Sequence, residues 1–213
     1  MMQKHPNQTK RGPLGRPPLT AEQQDRVRHR IVKIAARLFR HEGLKAVSMR
    51  RIAREAQVST MSLYDYFRSK NEIIRAMWER FFSQCFDEVE HAALEGARKG
   101  TRSQLEAACA AYVNYWIGHP DEYRAVFLIE DTVEDEERYF VDTSSIMTRY
   151  LIFSELLMAH HGYAKEGAAE HPLRNRAQAL VCALNGVCHM LITVSEYPWP
   201  PAERIVGEIL RMA

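Results

Sequence analysis

Apolar residues recur along this chain at three- and four-residue spacings, and no segment alternates as a half-buried strand would. The first stripe is Val27, Ile31, Ile34, Ala35, Leu38 and Phe39. Thr20-Ala-Glu-Gln23 opens it with the spacing of a capping box, and Gly43 closes it as a residue beyond the C-cap. The next twenty residues of pattern, Ser48–Phe67, read as helix, turn, helix. Ile52, Ala53 and Ala56 share one face of the first helix, Val58 sits in the turn, and Leu63 and Phe67 repeat at i, i+4 on the second. Ala53 suits a close crossing, because helices joined by so short a turn leave room only for a small side chain. Ser59 is placed to cap the second helix by accepting from the backbone N–H of Met61 or Ser62.

Ser69-Lys-Asn-Glu72 is a second capping box, and it opens a long rod. Ile73, Ile74, Met77, Trp78, Phe81, Phe82, Cys85, Phe86 and Val89 form its stripe, over about six turns, until Gly96 and Gly100 break it. Helical patterns then cover 102–118, a segment opened by His119-Pro120 with Pro at the first helical position, 137–160, 173–195, and a last helix ending Ile205, Ile209, Met212. Residues 162–172 read as a loop. The fold class is all-α, with a basic arm over 1–19, a helix-turn-helix domain over 20–68 and a helical body over 69–213.

Charge sharpens this division. The net charge of the 213 residues is only +2, but residues 1–80 carry 18 Lys/Arg against 7 Asp/Glu, and the remainder carries 11 against 20. A basic head on an acidic body is the profile of a polyanion-binding module. In the helix-turn-helix, Thr60, Ser62, Tyr64, Asp65 and Tyr66 fall on exposed or partly exposed faces, a set suited to base edges and phosphates. Lys70 joins the positive end of the rod's dipole, which suits a phosphate contact. The first helix, with Arg26, Arg28, Arg30, Lys33 and Arg37 opposite its stripe, should brace the reader below it and lie near the phosphate backbone. The arm holds Lys4, Lys10, Arg11 and Arg16, no acid and four prolines. It either lies in an A·T-rich minor groove or adds non-specific phosphate affinity.

Other classes lose ground. No apolar run nears the roughly 20 residues a bilayer span requires, and the first residues hold no apolar core of a secretory signal. Cys85, Cys109, Cys182 and Cys188 have no CxxC spacing, which fits a reduced, cytoplasmic protein using them as small apolar residues. Cys188-His189, His160-His161 and the acidic run Glu130–Glu137 lack zinc-site spacing, so no metal is expected. Neither a nucleophile–base motif nor a phosphate loop is present, so neither an enzymatic activity nor a cofactor is expected.

In this order of elements the chain resembles the TetR family of bacterial transcriptional regulators, most closely over residues 28–82. The resemblance rests on RIVKIAARLFRHEG, on SMRRIAREAQVSTMSLYDYFRSKNEIIRAMWERFF, and on Leu63-Tyr64-x-Tyr66-Phe67 followed by Ser69-Lys70. It implies that Ser48 and Arg50 contact phosphate and a base edge, that Ser62 and Tyr64 contact phosphate or base, that Asp65 and Tyr66 face the groove, and that Lys70 holds a phosphate. Three positions depart from the family pattern. Gln57 stands where the turn commonly has glycine and would then take φ > 0. Met61 replaces a small residue on the reading helix, and either touches a thymine methyl or packs. Tyr66 replaces a frequent histidine. Asp65 near phosphates is unfavourable unless it accepts from a cytosine amino group or pairs with Arg68.

For the body, the resemblance implies a four-helix bundle across a two-fold axis, hence a homodimer on a palindromic stretch of double-stranded DNA. Residues 177–191 are apolar on nearly every face, so this helix is buried either in the monomer or between monomers; between monomers, Ala177, Leu180, Val181, Leu184, Val187 and Leu191, with Ile205 and Ile209 of the last helix, are the interface residues. Phe82, Phe86, Tyr112, Trp116, Phe127, Met147, Tyr150 and Met190 are the candidates to line a pocket for a small hydrophobic effector, unless they are plain core. Two rivals stand beside this reading: a DNA-binding scaffold without inducer, and a helical small-molecule carrier. A ligand-sized void favours the inducer, and a body filled by its own side chains favours the scaffold. With the contacts confined to residues 1–80, DNA affinity measured by titration at rising salt should fall steeply, and a flat response would count against the reading.

Overall fold

The computed structural model describes residues 20–128, 144–163 and 173–212. Among them lie ten α-helices and one 3-10 turn. The head comprises α1 (Ala21–Glu42), α2 (Met49–Ala56) and α3 (Thr60–Tyr64), with the 3-10 turn Leu44–Ala46 between the first two. The body follows with α4 (Lys70–Ala97), α5 (Thr101–Gly118), α6 (Pro120–Phe127), α7 (Ser144–Arg149), α8 (Leu151–His160), α9 (Arg174–Thr193) and α10 (Ala202–Met212). The basic arm with Arg11 and Arg16, the acidic run Glu130–Glu137, Phe140 and most of the loop over 162–172 lie outside the described residues.

Each head helix begins and ends where its caps dictate. The Thr20 hydroxyl accepts from Gln23 N–H, and the Gln23 side chain accepts from Thr20 N–H, both halves of the expected capping box. Gly43 closes α1 at φ +77°, donating its N–H to Phe39 O at 2.7 Å. Ser48 caps α2 by accepting from Arg51 N–H, and Ser59 caps α3 by accepting from Ser62 N–H at 2.9 Å. Gln57 takes the left-handed conformation, φ 56° and ψ 41°, as its place in the turn demanded. Ile31, Ala35, Phe39, Ile52, Ala53, Leu63, Phe67 and Ile73 are all buried, so the three helices and the start of α4 share one core.

The rod is longer than its pattern predicts. It runs 28 residues, about 42 Å, and Gly96 lies inside it rather than breaking it. The glycine serves a crossing: a Cβ there would lie 2.6 Å from Ser103 O and 2.8 Å from the Gln104 Cα of α5. The turn itself falls at Gly100, φ +111°. The second capping box is also altered. Ser69 accepts from Glu72 N–H, but Glu72 accepts from Arg68 N–H at 2.6 Å, one residue before the cap.

Helix α5 is the axis of the body, with α4, α6, α8, α9 and α10 packed around it. The single helix expected over 137–160 is, where described, two helices meeting at Tyr150. There Arg149 reaches α4, bonding Asp87 at 2.8 Å and Glu90 at 2.7 Å, while the next ring turns inward onto Phe86. On α9, Ala177, Leu180, Leu184 and Val187 are buried within the protomer, so they are not free to form an interface. An almost uncharged helix buried on one side presents a similar pattern on the other, and periodicity alone picks the wrong face. Its outward face carries Ala179, Cys182, Gly186, His189 and Met190, while Val181, Leu191, Ile205 and Ile209 are half-buried.

The Gly96 crossing makes a direct prediction. Gly96→Ala should lower the unfolding free energy by about 2 kcal/mol in urea titrations, because the added methyl meets backbone. Gly207→Ala on α10, where nothing lies within 4 Å of the new atom, should leave stability unchanged or raise it.

Candidate nucleic-acid interface

Helices α2 and α3 are short, so most of their backbone groups need partners from elsewhere. Helix α1 supplies them. Arg30 donates to Ala56 O at 2.6 Å, closing the end of α2. Arg28 donates to Tyr66 O, lays its guanidinium over the Phe67 ring 4.1 Å from the centroid, and lies 3.8 Å from Glu72. Arg37 pairs with Glu55, and Arg51 pairs with Glu42 and lies 3.7 Å from Glu55. Arg26 pairs with Glu22 within α1. Arg28, Arg30 and Arg37 therefore brace the head, as expected of this helix, through groups that the expected place near the phosphate backbone would have left outward.

What remains outward is the candidate interface. Ser48 and Arg50 stand exposed at the start of α2. On α3, Leu63 is fully buried while Thr60, Met61, Tyr64 and Asp65 are exposed and Ser62 and Tyr66 half-buried. Lys70 is half-buried at the start of α4. Asp65 and Arg68 both stand exposed and are not paired with each other in the absence of DNA.

The aromatic candidates of the body converge, with two exceptions. Phe82 is the hub, with ring centroids 5.5 Å from Trp116, 5.9 Å from Phe127, 6.1 Å from Tyr150 and 6.4 Å from Phe86. Met147 is 59% and Met190 41% exposed, so neither belongs to this cluster. The sequence reading missed Asn185. Its side chain accepts from the Tyr112 hydroxyl at 3.1 Å and donates to Val181 O, and its carbonyl accepts from Tyr123. The Tyr112 and Tyr150 hydroxyls are 2.9 Å apart, and burial pushes both phenols well above their usual range, so they stay neutral. The Trp116 indole N–H is buried without a partner. Burial likewise pushes the Cys109 and Cys188 thiols up to about 12, in keeping with small apolar residues.

Between head and body lies an open cleft of about 600 Å³. Val32 and Phe67 line it from the head, Phe82 and Arg80 from α4, and Ile146 and Arg149 from α7, so its floor is one edge of the aromatic cluster. Deeper in, α1 and α6 are joined by a charge. Glu122, 2% exposed, lies 3.3 Å from Arg40 and accepts from the Tyr115 hydroxyl at 3.0 Å. A pattern search passes over Glu122, because an acid in a first helical turn ordinarily faces water. Among the described residues no group of three or more His, Cys, Asp or Glu is gathered for a metal, and no helix is long and apolar enough to cross a membrane.

A helix-turn-helix held on a rod, with a polar outer face on its second helix, defines a DNA-binding regulator. Residues 31–77 match the family described as bacterial regulatory proteins, tetR family. A helix-turn-helix transcriptional regulator from the dhlA 5′ region of Xanthobacter autotrophicus is 26% identical over 142 residues, 63% of this chain and 70% of that protein. The transcriptional repressor DrrR1 of Streptomyces coeruleorubidus is 43% identical over 51 residues, 24% of this chain and 19% of that one. The solved structure of the regulator FadR from Bacillus subtilis, in complex with stearoyl-CoA, is 18% identical and shares the fold with TM-score 0.62, over 86% of this chain and 96% of that one. Residues 31–77 thus carry the DNA-binding head of the tetR family of bacterial regulatory proteins, and the fold of the whole chain is shared with TetR-family regulators.

The link between head and body can be measured on the isolated protein. Arg40→Ala leaves the buried Glu122 carboxylate with only the tyrosine hydroxyl, and should cost about 1–3 kcal/mol in denaturant unfolding. Adding Glu122→Gln should recover part of that loss, since the uncompensated charge is then gone.

Proposed function

We propose that this regulator works in the cytoplasm as a homodimeric repressor on a palindromic operator, and that a small, largely apolar effector releases it. The observation that carries the DNA-reading part is the split on α3: Leu63 fully buried, Thr60, Tyr64 and Asp65 outward on the same short helix. In this reading α3 enters the major groove. Thr60, Ser62, Tyr64 and Tyr66 meet bases and phosphates, and Asp65 accepts from a cytosine amino group. Ser48, Arg50 and Lys70 hold phosphates, while Arg11 and Arg16 of the arm add affinity along the minor groove or backbone.

The dimer forms through the outward face of α9, around Ala179, Cys182, Gly186 and Met190, extended by Val181, Leu191, Ile205 and Ile209. In support, α9 carries no Asp, Glu, Lys or Arg between Arg176 and Thr193, so its outward face buries without leaving a charge unpaired. Two-fold symmetry then sets two copies of α3 to read a palindrome one helical turn apart.

The effector enters the cleft at Phe82 and displaces the rings behind it. Because Phe82 and Phe86 belong to α4, the rod tilts and the separation of the two readers changes. A preference of about 3 kcal/mol for the tilted state would weaken operator binding roughly a hundredfold. The long acyl ligand of the Bacillus subtilis relative makes stearoyl-CoA a first compound to try. The tight packing of the aromatic cluster favours a second reading, a DNA-binding scaffold without inducer. In that case no small molecule releases the operator.

The test is selection of bound sequences from a random duplex pool, with Tyr64→Ala beside the native chain. A palindrome should emerge, and the variant should bind it at least tenfold more weakly, about 1.4 kcal/mol. Sequence-independent binding that the variant retains would refute the regulator as described.

A further inference from the structure

Methionine at position 61 is an anomaly on the outward face of α3. It is 79% exposed, among the most solvent-accessible large apolar side chains in the described residues, and no interior contact accounts for it. Its neighbours on the outward face, Thr60, Tyr64 and Asp65, all carry groups that water solvates well. The buried side of the same helix is filled by Leu63, with Phe67 just beyond it, both at 1% exposure or less, so the core has no use for the thioether. Of the two alternatives that the sequence left for this residue, packing or contact with a methyl group, its exposure removes packing within the free chain.

We infer that Met61 is a specificity-determining residue that reads the C5-methyl group of a pyrimidine, thymine in ordinary DNA, in the major groove. The inference rests on the proposal above that α3 enters that groove. Met61 is the second residue of α3, within the N-terminal turn from which reading helices approach base edges. Of the four bases, only thymine presents an apolar group on its major-groove edge. Methionine suits that target, because its unbranched, polarisable side chain adapts to a methyl whose position shifts with the local twist of the duplex. Tyr64 and Asp65, three and four residues on, share its face of the helix, so the polar contacts they make would fix the register in which the thioether meets its base. Exposed in the free protein and covered on the duplex, Met61 adds affinity only where the methyl is present.

The contact is worth about one buried methyl group, or roughly fourfold in affinity per half-site and roughly fifteenfold for two symmetric half-sites. The experiment uses the full chain and the palindrome selected from the random pool. Each thymine is replaced in turn, symmetrically in both half-sites, by deoxyuridine, which differs only in lacking the methyl. Affinities are measured for the native chain, Met61→Ala and Met61→Leu. One thymine pair should cost the native chain and Met61→Leu roughly fifteenfold when replaced and should cost Met61→Ala almost nothing. Cytosine at that pair should be tolerated better when it carries a 5-methyl group, again only with Met or Leu at 61.

A palindrome in which no deoxyuridine replacement separates the native chain from Met61→Ala would overturn the role of Met61 and leave the operator-binding reading intact. Failure of the pool to yield any palindrome would overturn both. Because Met61 is exposed, the variants should melt within a degree or two of the native chain, and circular dichroism would show that a lost preference does not reflect a lost fold.

Discussion

Helices of eight and five residues have too few internal hydrogen bonds to hold themselves, and the architecture of the head follows from that shortage. Serines close the starts of α2 and α3, a left-handed glutamine closes α2, and guanidinium groups from α1 satisfy the carbonyls of Ala56 and Tyr66. Arg28 does the most, since one side chain bonds a carbonyl, covers the Phe67 ring and approaches Glu72 at the start of α4. The outer face of α3 is therefore free of structural duties. Its residues can be chosen for what they meet outside the protein, because none of them is needed to keep the helix in place.

Much of the head was legible because its signals are local. Thr20 with Gln23, Ser59 before Thr60, Gly43 after α1 and the Leu63/Phe67 spacing each involve residues a few positions apart, and each has the structural role its spacing implied. That α1 would brace the reader was legible, but not which partners Arg28, Arg30 and Arg37 would take. Their partners lie 38, 26 and 18 residues away, and an arginine destined for a carbonyl looks the same in sequence as one destined for a phosphate. Glu122 and Asn185 share that difficulty, each being polar in a buried place that only the tertiary fold creates. The six aromatic pocket candidates, Phe82, Phe86, Tyr112, Trp116, Phe127 and Tyr150, do lie against one another. Met147 and Met190 failed because apolar character does not tell which way a side chain points on a helix surrounded by neighbours.

The body joins two kinds of attachment to the head. One is apolar and continuous, with the Phe39 ring of α1 packed 6.4 Å from that of Phe81 on α4 inside one buried core. The other is polar: beside the half-buried Arg28 and Glu72, Arg40 pairs with Glu122, which is buried on the body side and held by Tyr115. Packing of rings tolerates small shifts, whereas a buried carboxylate must keep its partners within hydrogen-bonding reach. Helix α6 faces both ways, with Glu122 turned to α1 and with Tyr123 and Phe127 against Trp116. Any rearrangement among the rings is thus felt by the element that grips the head.

The contact at Gly96 has a mechanical meaning beyond packing. Where α4 and α5 touch backbone to backbone there is no side chain to yield, so the crossing behaves as a fulcrum near one end of a stiff beam. The 26 steps from Lys70 to Gly96 span about 39 Å, so a rotation of about 5° at that pivot would carry the head end of the rod through more than about 3 Å, close to the spacing of one base-pair step. On the proposed release mechanism, leverage of this kind would enlarge at the reader a displacement at Phe82 too small to disturb the core.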